Sequence, residues 1–271
     1  MLIQANSLSI PLKDKTVQCV VTSPPYFNLR NYKEDEQIGL EDTPEEYISN
    51  IAMVFREVKR VLKDDGTVFL NLGDVYRNKQ LLGIPWRIAL ALQADNWILR
   101  SDIIWQKPDP TPSSVVDRPT VSHEYIFMFS KSMNYYYDYE AIKEPAIWAA
   151  DRRADKGRIG YEGKRKGEEG TGQKSFVSID SSGRNKRTVW TIPTYHFPGA
   201  HFATMPPKLV EPCIMAGCPV YETVLDPFVG SGTTVMVAEQ WKRIGIGIDL
   251  SREYLDIAKK RRKLNQLEMF P

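Results

Sequence analysis

Residues 223–240 read TVLDPFVGSGTTVMVAEQ, an apolar run followed by a glycine loop and a helical pattern. The run 223–226 predicts a buried strand, and the helix is predicted over 235–240. Gly230 and Gly232 let the backbone approach a ligand at the amino end of that helix, where free N–H groups favour an anionic or polar group. The loop lacks the lysine of a P-loop and the third glycine of the dinucleotide fingerprint, so alone it is weak evidence of a binding site.

The next apolar segment, 243–249, predicts a strand that ends at Asp249. An acidic side chain in this position can accept hydrogen bonds from both ribose hydroxyls of a nucleoside. The alternative, in which Asp249 caps the following helix together with Ser251, leaves the glycines unexplained. The loop and the acid together therefore indicate a nucleoside cofactor.

A second motif, Ser23-Pro24-Pro25-Tyr26, follows the apolar run VQCVVT at 17–22, which also predicts a buried strand. Two prolines cannot continue a strand ladder, so the chain must turn there. The strands before Ser23 and Asp226 can be neighbours whose carboxyl ends open into one crevice, where open α/β sheets place their chemistry. On these four residues alone, an ordinary stiff loop is the simpler interpretation.

Helical and strand patterns alternate through 43–105, beginning with the typical helix start Thr43-Pro44-Glu45-Glu46. We predict strands at 67–72 and 97–105, a helix at 84–94, a hairpin from 123–130 and 135–139, and helices at 208–216 and from 252 onward. This alternation predicts an α/β protein with a doubly wound, mostly parallel sheet.

Composition limits the function classes only weakly. The 271 residues include 36 Lys and Arg against 34 Asp and Glu, so net charge neither requires nor excludes a nucleic-acid partner. Three scattered cysteines (Cys19, Cys213 and Cys218) do not suit a disulfide framework or a zinc cluster, and no metal site is predicted. No signal-peptide pattern and no window of roughly 18 apolar residues is present, so we expect a soluble, cytoplasmic protein with no membrane partner.

The segment from about 140 to 187 differs in composition, because aliphatic residues thin out while Gly, Lys and Arg accumulate. Eleven Lys and Arg stand against six Asp and Glu between Asp151 and Arg187. Two interpretations stay open: a solvated surface insertion, or an electropositive arm that follows a phosphate backbone.

Taken together, the motifs resemble those of the S-adenosylmethionine-dependent DNA amino-methyltransferases. TSPPY at 22–26, HFATMPPKL at 201–209, DPFVGSGTT at 226–234 and GIDL at 247–250 are similar to that family's motifs, in the order of its β group. The resemblance implies a Rossmann-like methyltransferase fold with a circularly permuted motif order. It divides the chain into a catalytic half (1–139), an inserted basic target-recognition region (140–195) and a cofactor-binding half (196–271).

Carried over to this sequence, the resemblance implies that the Ser23 hydroxyl and the Pro24 carbonyl accept the hydrogens of a base amine. The prolines, including Pro25, direct these acceptors, and Tyr26 stacks on the flipped base. Methyl transfer from S-adenosyl-L-methionine then needs no metal and no covalent intermediate. The implied cofactor contacts are Asn6, Thr204, Asp226, Phe228, Gly230, Ser231, Gly232, Thr233 and Asp249. Members of this group usually carry Asp where this chain has Asn6, so we expect an altered contact to the cofactor's adenine.

The resemblance also implies double-stranded DNA as a partner. The candidate DNA-binding residues are Lys107, Arg118, Arg152, Arg153, Lys164, Arg165, Lys166, Arg184, Lys186 and Arg187. A homodimer, and a cognate restriction endonuclease acting on the same site, stay open.

The target base is predicted from Ser23. Ser at the first position of the tetrapeptide resembles the cytosine-N4 enzymes, whereas Asp would resemble the adenine-N6 enzymes. Both amines present the same two hydrogens, so adenine N6 remains the alternative, with RNA or protein amino-methyltransferases and a catalytically inactive DNA-binding module as remote ones. A nicotinamide-dependent oxidoreductase is disfavoured because the third glycine is missing. Cytosine C5 methylation needs a cysteine nucleophile, and Cys213 lies in a helical pattern before the glycine loop, so we reject it.

Overall fold

The computed structural model describes residues 1–145, 183–195 and 204–269. The chain divides into two compact units, one formed by Met1–Asp138 with Arg187–Pro271 and the other by Tyr139–Lys186. In its described part, the smaller unit contains a 3-10 helix at Glu140–Ile142 and an antiparallel bridge between Glu144 and Arg184. The larger unit contains the sheet and all the helices and strands given below.

Among the described residues of the larger unit, eight strands form one sheet. In chain order they are β1 (Leu2–Gln4), β2 (Val17–Thr22), β3 (Leu62–Leu72), β6 (Ile98–Gln106), β7 (His123–Ser130), β8 (Val189–Thr191), β9 (Thr223–Asp226) and β10 (Ile244–Asp249). Their spatial order is β1-β10-β9-β2-β3-β7-β6-β8. Strand β7 is antiparallel to both of its neighbours, and every other neighbouring pair is parallel. The predicted α/β class with a mostly parallel sheet is therefore confirmed.

The helices are α1 (Pro44–Val61), α2 (Ile84–Ala94), α3 (Pro207–Gly217), α4 (Thr233–Gln240) and α5 (Arg252–Met269), and a small hairpin joins β4 (Tyr76–Arg77) to β5 (Gln80–Leu81). Helix α1 begins as predicted, with the Thr43 hydroxyl accepting from the Glu46 amide and Pro44 in the first turn. Its apolar face is buried in the main core. Among the described residues, no helix is both long and apolar enough to cross a membrane.

The pairing of β2 with β9 brings the two sequence motifs together. These strands run parallel at the centre of the sheet, with Cys19 opposite Val224 and Val20 opposite Leu225. Ser23 follows β2 directly and Pro227 follows β9 directly, so both motifs leave the sheet at the same edge. The prediction that these two strands are neighbours in an open α/β sheet is therefore confirmed.

One segment differs from the sequence predictions. Residues 135–139 do not form the second strand of a hairpin, because β3 and β6 already occupy both sides of β7. That segment is instead held by single backbone hydrogen bonds, such as those from Tyr136 to Asp65 and from Asp138 to Ala216. The larger unit resumes at residue 187, shortly before β8 pairs with β6.

Candidate active site

One cavity of about 460 Å³ lies at the edge of the sheet where β2, β9 and β10 end. It is lined by the whole tetrapeptide and by most of the predicted cofactor contacts. These lining residues are Ser23, Pro24, Pro25, Tyr26, Asn6, Thr204, Asp226, Phe228, Gly230, Ser231, Thr233 and Asp249. The structure therefore places the two motifs, some 200 residues apart in sequence, around one volume.

The glycine loop has the geometry that only glycine adopts readily. Gly230 and Gly232 have φ angles of +47° and +86°, and α4 begins at the next residue, Thr233. Gly232 is not among the residues that line the cavity. A Cβ atom there would lie 2.8 Å from the Cβ of Ala258, so this glycine allows α5 to pack closely against the loop.

Asp226 ties the loop to the strand that carries the tetrapeptide. Its Oδ1 accepts hydrogen bonds from Thr22 Oγ1 at 2.7 Å and from the Phe228 amide at 3.1 Å, and its Oδ2 accepts from Thr234 Oγ1 at 2.7 Å. The residue is only 2 % exposed. Burial raises its pKa to about 6, against the opposing effect of these donors. The Asp226 carboxylate therefore serves mainly to connect the glycine loop and α4 to β2.

This elevated pKa predicts a specific pH dependence of stability. The folded state binds the Asp226 proton more tightly than the unfolded chain does. The resulting contribution to the free energy of unfolding is therefore fully present below about pH 4 and is lost as the pH rises through about 6. The shift from 3.8 to about 6 corresponds to about 3 kcal/mol. We expect Asp226→Asn, which keeps the shape, to remove this dependence, as measured by urea unfolding of both proteins at pH 4.5 and 7.5. An identical pH dependence in the two proteins would contradict the assignment.

Asp249 joins β10 to the same loop. Its Oδ2 accepts from the Gly230 amide at 2.8 Å and its Oδ1 from the Ser251 amide at 2.9 Å. Burial raises the pKa of this carboxyl group. Each carboxylate oxygen has a second lone pair that can accept from a ligand hydroxyl. Asp249 can therefore cap the start of α5 and also accept from a ligand, because it binds the Ser251 amide and lines the cavity.

Asn6 and Thr204 line the cavity with different polar environments. The Asn6 Oδ1 accepts from the Leu8 amide at 2.9 Å, and its Nδ2 donates to Glu36 Oε2 at 2.8 Å. Asn6 thereby holds a carboxylate that also lines the cavity. Thr204 Oγ1 is buried and has no hydrogen-bond partner among the residues described here. Buried polar groups in folded proteins are nearly always hydrogen-bonded, so this unpaired hydroxyl in a residue of the cavity wall is an exception.

Arg261 was not predicted as a site residue, and it holds the glycine loop by hydrogen bonds. Its Nη1 donates to the Ser231 carbonyl at 2.9 Å, to Ser231 Oγ at 2.6 Å and to Thr233 Oγ1 at 3.2 Å. Burial lowers the pKa of this guanidinium group. Arg261 lies three residues after Ala258, which is three after Leu255, so its place on the buried face of α5 was the available signal.

The tetrapeptide is held by its neighbours as a rigid turn. The Tyr47 hydroxyl donates to the Pro25 carbonyl at 2.7 Å. The ring of Tyr26 lies against Gly73, where a Cβ atom would come within 2.6 Å of the ring carbon Cε2. Ser23 is half-buried, and its Oγ donates to Tyr26 Oη at 3.3 Å.

A polar network lies behind this turn, and two of its members, Asn71 and Glu124, were not predicted. Tyr26 Oη donates to Glu124 Oε2 at 2.6 Å, and Asn71 Nδ2 donates to both of these oxygens at 2.8 Å. Lys107 forms a salt bridge with Glu124 Oε1. Burial, followed by the nearby Glu124 carboxylate, raises the pKa of Tyr26 well above its usual value. Asn71 could have been recognised as a candidate site residue from the sequence, because it is the polar residue in the otherwise apolar end of β3.

The predicted DNA-binding residues fall in different environments. Lys107 lines the cavity, and the Arg118 guanidinium lies 3.7 Å from the centre of the Tyr76 ring. In the smaller unit, Arg184 and Lys186 pair with Glu144. Arg187 is exposed at the point where the larger unit resumes. The remaining candidates, Arg152, Arg153, Lys164, Arg165 and Lys166, lie outside the described residues.

Solved structures with this fold include two relevant matches. A PvuII DNA methyltransferase described as cytosine-N4-specific matches with a TM-score of 0.72 and 19% identity, over 98% of this chain and 89% of its own. A protein from Thermus thermophilus described as a "Putative DNA Modification Methylase", complexed with S-adenosyl-L-methionine, matches with a TM-score of 0.64 and 24% identity, over 97% of this chain and 93% of its own.

Sequence comparisons agree with this fold. The type II methyltransferase M.Cfr9I of Citrobacter freundii is 42% identical over 96% of this chain and 86% of its own length. M.SmaI of Serratia marcescens is also 42% identical, over 92% of this chain and 85% of its own length. The family model described as "DNA methylase" matches residues 17–260. The chain therefore belongs to the DNA methylase family.

Proposed function

We propose that the protein is a site-specific DNA methyltransferase that methylates the exocyclic N4 amine of a cytosine flipped out of duplex DNA. The observation that carries this proposal is the shared cavity of the tetrapeptide and the glycine loop. One group of residues is suited to hold a base amine and the other to hold a nucleoside cofactor.

The methyl donor is S-adenosyl-L-methionine, which supplies a methyl group bound to a positively charged sulfur. In this chain, Asp249 offers acceptors for the ribose hydroxyls, and Phe228 offers an apolar face in the same cavity. The unpaired Thr204 hydroxyl suits the polar methionine end of the cofactor. Asp226 and Arg261 act indirectly, because their hydrogen bonds hold the glycine loop and the start of α4 in place.

The tetrapeptide prepares the target amine for attack. An exocyclic amine is a poor nucleophile, because its lone pair is delocalised into the base. The Ser23 hydroxyl and the Pro24 carbonyl accept hydrogen bonds from its two hydrogens, which returns electron density to the nitrogen. The ring of Tyr26, held against Gly73, stacks on the base and partly offsets the few kcal/mol that base flipping costs.

Cytosine N4 is favoured over adenine N6 for two reasons. Ser23 is a neutral acceptor at the position where Asp resembles the adenine enzymes, and one structural neighbour is described as cytosine-N4-specific. The name "type II methyltransferase" shared by the relatives supports a role in restriction–modification, with a companion endonuclease that acts on the same duplex site.

Transfer of a tritiated methyl group to mixed-sequence duplex DNA, followed by digestion to nucleosides and their chromatographic separation, tests this proposal. We expect the label in the methylated cytosine nucleoside and none in the methylated adenine nucleoside. Label in the adenine nucleoside would favour adenine N6, whereas no label in any nucleoside would contradict a DNA methyltransferase.

A further inference from the structure

Ser23 begins a chain of hydrogen bonds that ends on a carboxylate. Its Oγ donates to Tyr26 Oη at 3.3 Å, and Tyr26 Oη donates to Glu124 Oε2 at 2.6 Å. Only 14% of the Glu124 side chain is exposed. Ser23, Tyr26 and Glu124 all line the cavity in which the target base would lie.

We propose that this chain is a charge relay, in which Glu124 acts through Tyr26 to strengthen Ser23 as the acceptor for the target amine. The inference rests on the proposed amino-methyltransferase function and adds to it a positioning residue outside the tetrapeptide. A serine hydroxyl is a weaker acceptor than a carboxylate. Hydrogen bonds in a chain polarise one another in a low-dielectric site, so a terminal carboxylate increases the negative charge on Ser23 Oγ.

The neighbouring groups fix the direction of this chain. Asn71 Nδ2 donates to Tyr26 Oη and Glu124 Oε2 at 2.8 Å and, more distantly, to Ser23 Oγ at 3.4 Å, so the Tyr26 hydroxyl hydrogen is left to bridge Tyr26 Oη and Glu124 Oε2. Lys107 binds the other carboxylate oxygen of Glu124, which leaves Oε2 for Tyr26 and Asn71. The raised pKa of Tyr26 keeps its hydroxyl protonated and therefore a donor.

The relay also accounts for the proton that the amine must lose. As positive charge builds on the methylated nitrogen, Ser23 Oγ takes one proton from it and passes its own proton to Tyr26. Tyr26 passes its proton to Glu124, so Ser23 and Tyr26 end with the same number of protons as they began with. Glu124 is neutralised and later releases the proton to solvent.

The Glu124→Gln variant tests the relay, because glutamine keeps the shape and an acceptor oxygen but removes the charge. We expect its single-turnover rate constant to fall at least about tenfold. Titration calorimetry with the cofactor and fluorescence anisotropy with duplex DNA should give dissociation constants within about twofold of the wild type, about 0.4 kcal/mol. Tyr26→Phe, which keeps the ring but breaks the chain, should slow turnover in the same way. Glu46→Gln on the exposed surface of α1 makes the same charge change and should behave as the wild type.

A solvent isotope effect separates a relay from a purely structural role. Wild-type turnover should be slower in deuterium oxide, and this difference should disappear in Glu124→Gln and Tyr26→Phe. The relay is overturned if Glu124→Gln keeps the wild-type rate, if its loss comes from weaker binding, or if the isotope effect persists. Wild-type protein that methylates no duplex DNA would instead refute the proposed function, and the relay with it.

Discussion

Replacing Ser23 with alanine should lower the rate of methyl transfer by about 10²–10³-fold, the usual cost of removing one hydrogen-bonding group aimed at a transition state. In the proposed mechanism, the variant loses the acceptor for the target amine and also the first member of the chain to Glu124. Affinity for S-adenosyl-L-methionine should change less than about twofold, about 0.4 kcal/mol, because the residues assigned to that ligand lie mainly on the loops after β9 and β10.

Single-turnover kinetics and titration calorimetry on the same preparation measure these two quantities. Ser49→Ala, an equally small change at an exposed position of α1, is the matched control. A rate of methyl transfer in Ser23→Ala close to that of the wild type would show that Ser23 has no catalytic role.

Replacing Asp249 with alanine should weaken cofactor binding by about 100-fold or more. A hydrogen bond to a charged group contributes about 1.5–3 kcal/mol. Losing the two proposed bonds from the ribose hydroxyls to the Asp249 carboxylate therefore corresponds to at least about two powers of ten in affinity. The amides of Gly230 and Ser251 would also lose their acceptor, so the glycine loop would no longer be held in its binding geometry.

Calorimetry with S-adenosylhomocysteine measures this effect without turnover. Asp256→Ala, on the exposed side of α5, changes the charge equally and should leave the affinity unaltered. Unchanged affinity in Asp249→Ala would show that the ribose binds elsewhere.

The features of the fold that local patterns encode were predictable from the sequence. The apolar run 17–22, the capped start of α1 and the glycine loop before α4 are contained in short stretches, and each forms the predicted element. The failure at 135–139 has a long-range cause. Its pattern suits a strand, but the sheet positions on both sides of β7 are filled by β3 and β6.

The residues of the candidate site also differ in whether a local sequence pattern or a long-range contact defines them. The tetrapeptide and Asp249 are recognisable because proline, glycine and an acid at a strand end have local meaning. Asn71, Glu124 and Arg261 act only through partners that are distant in sequence, such as the 98 positions between Tyr26 and Glu124. No local pattern specifies such a contact, so the structure was needed to reveal it.

The chemical identity of the methylated nucleoside distinguishes cytosine N4 from adenine N6 methylation directly. The purified protein is incubated with S-adenosyl-L-methionine and mixed-sequence duplex DNA, which is then digested to nucleosides and analysed by mass spectrometry. We expect N4-methylcytosine, and its yield should fall sharply in Ser23→Ala. N6-methyladenine, or the absence of any methylated nucleoside, would contradict it.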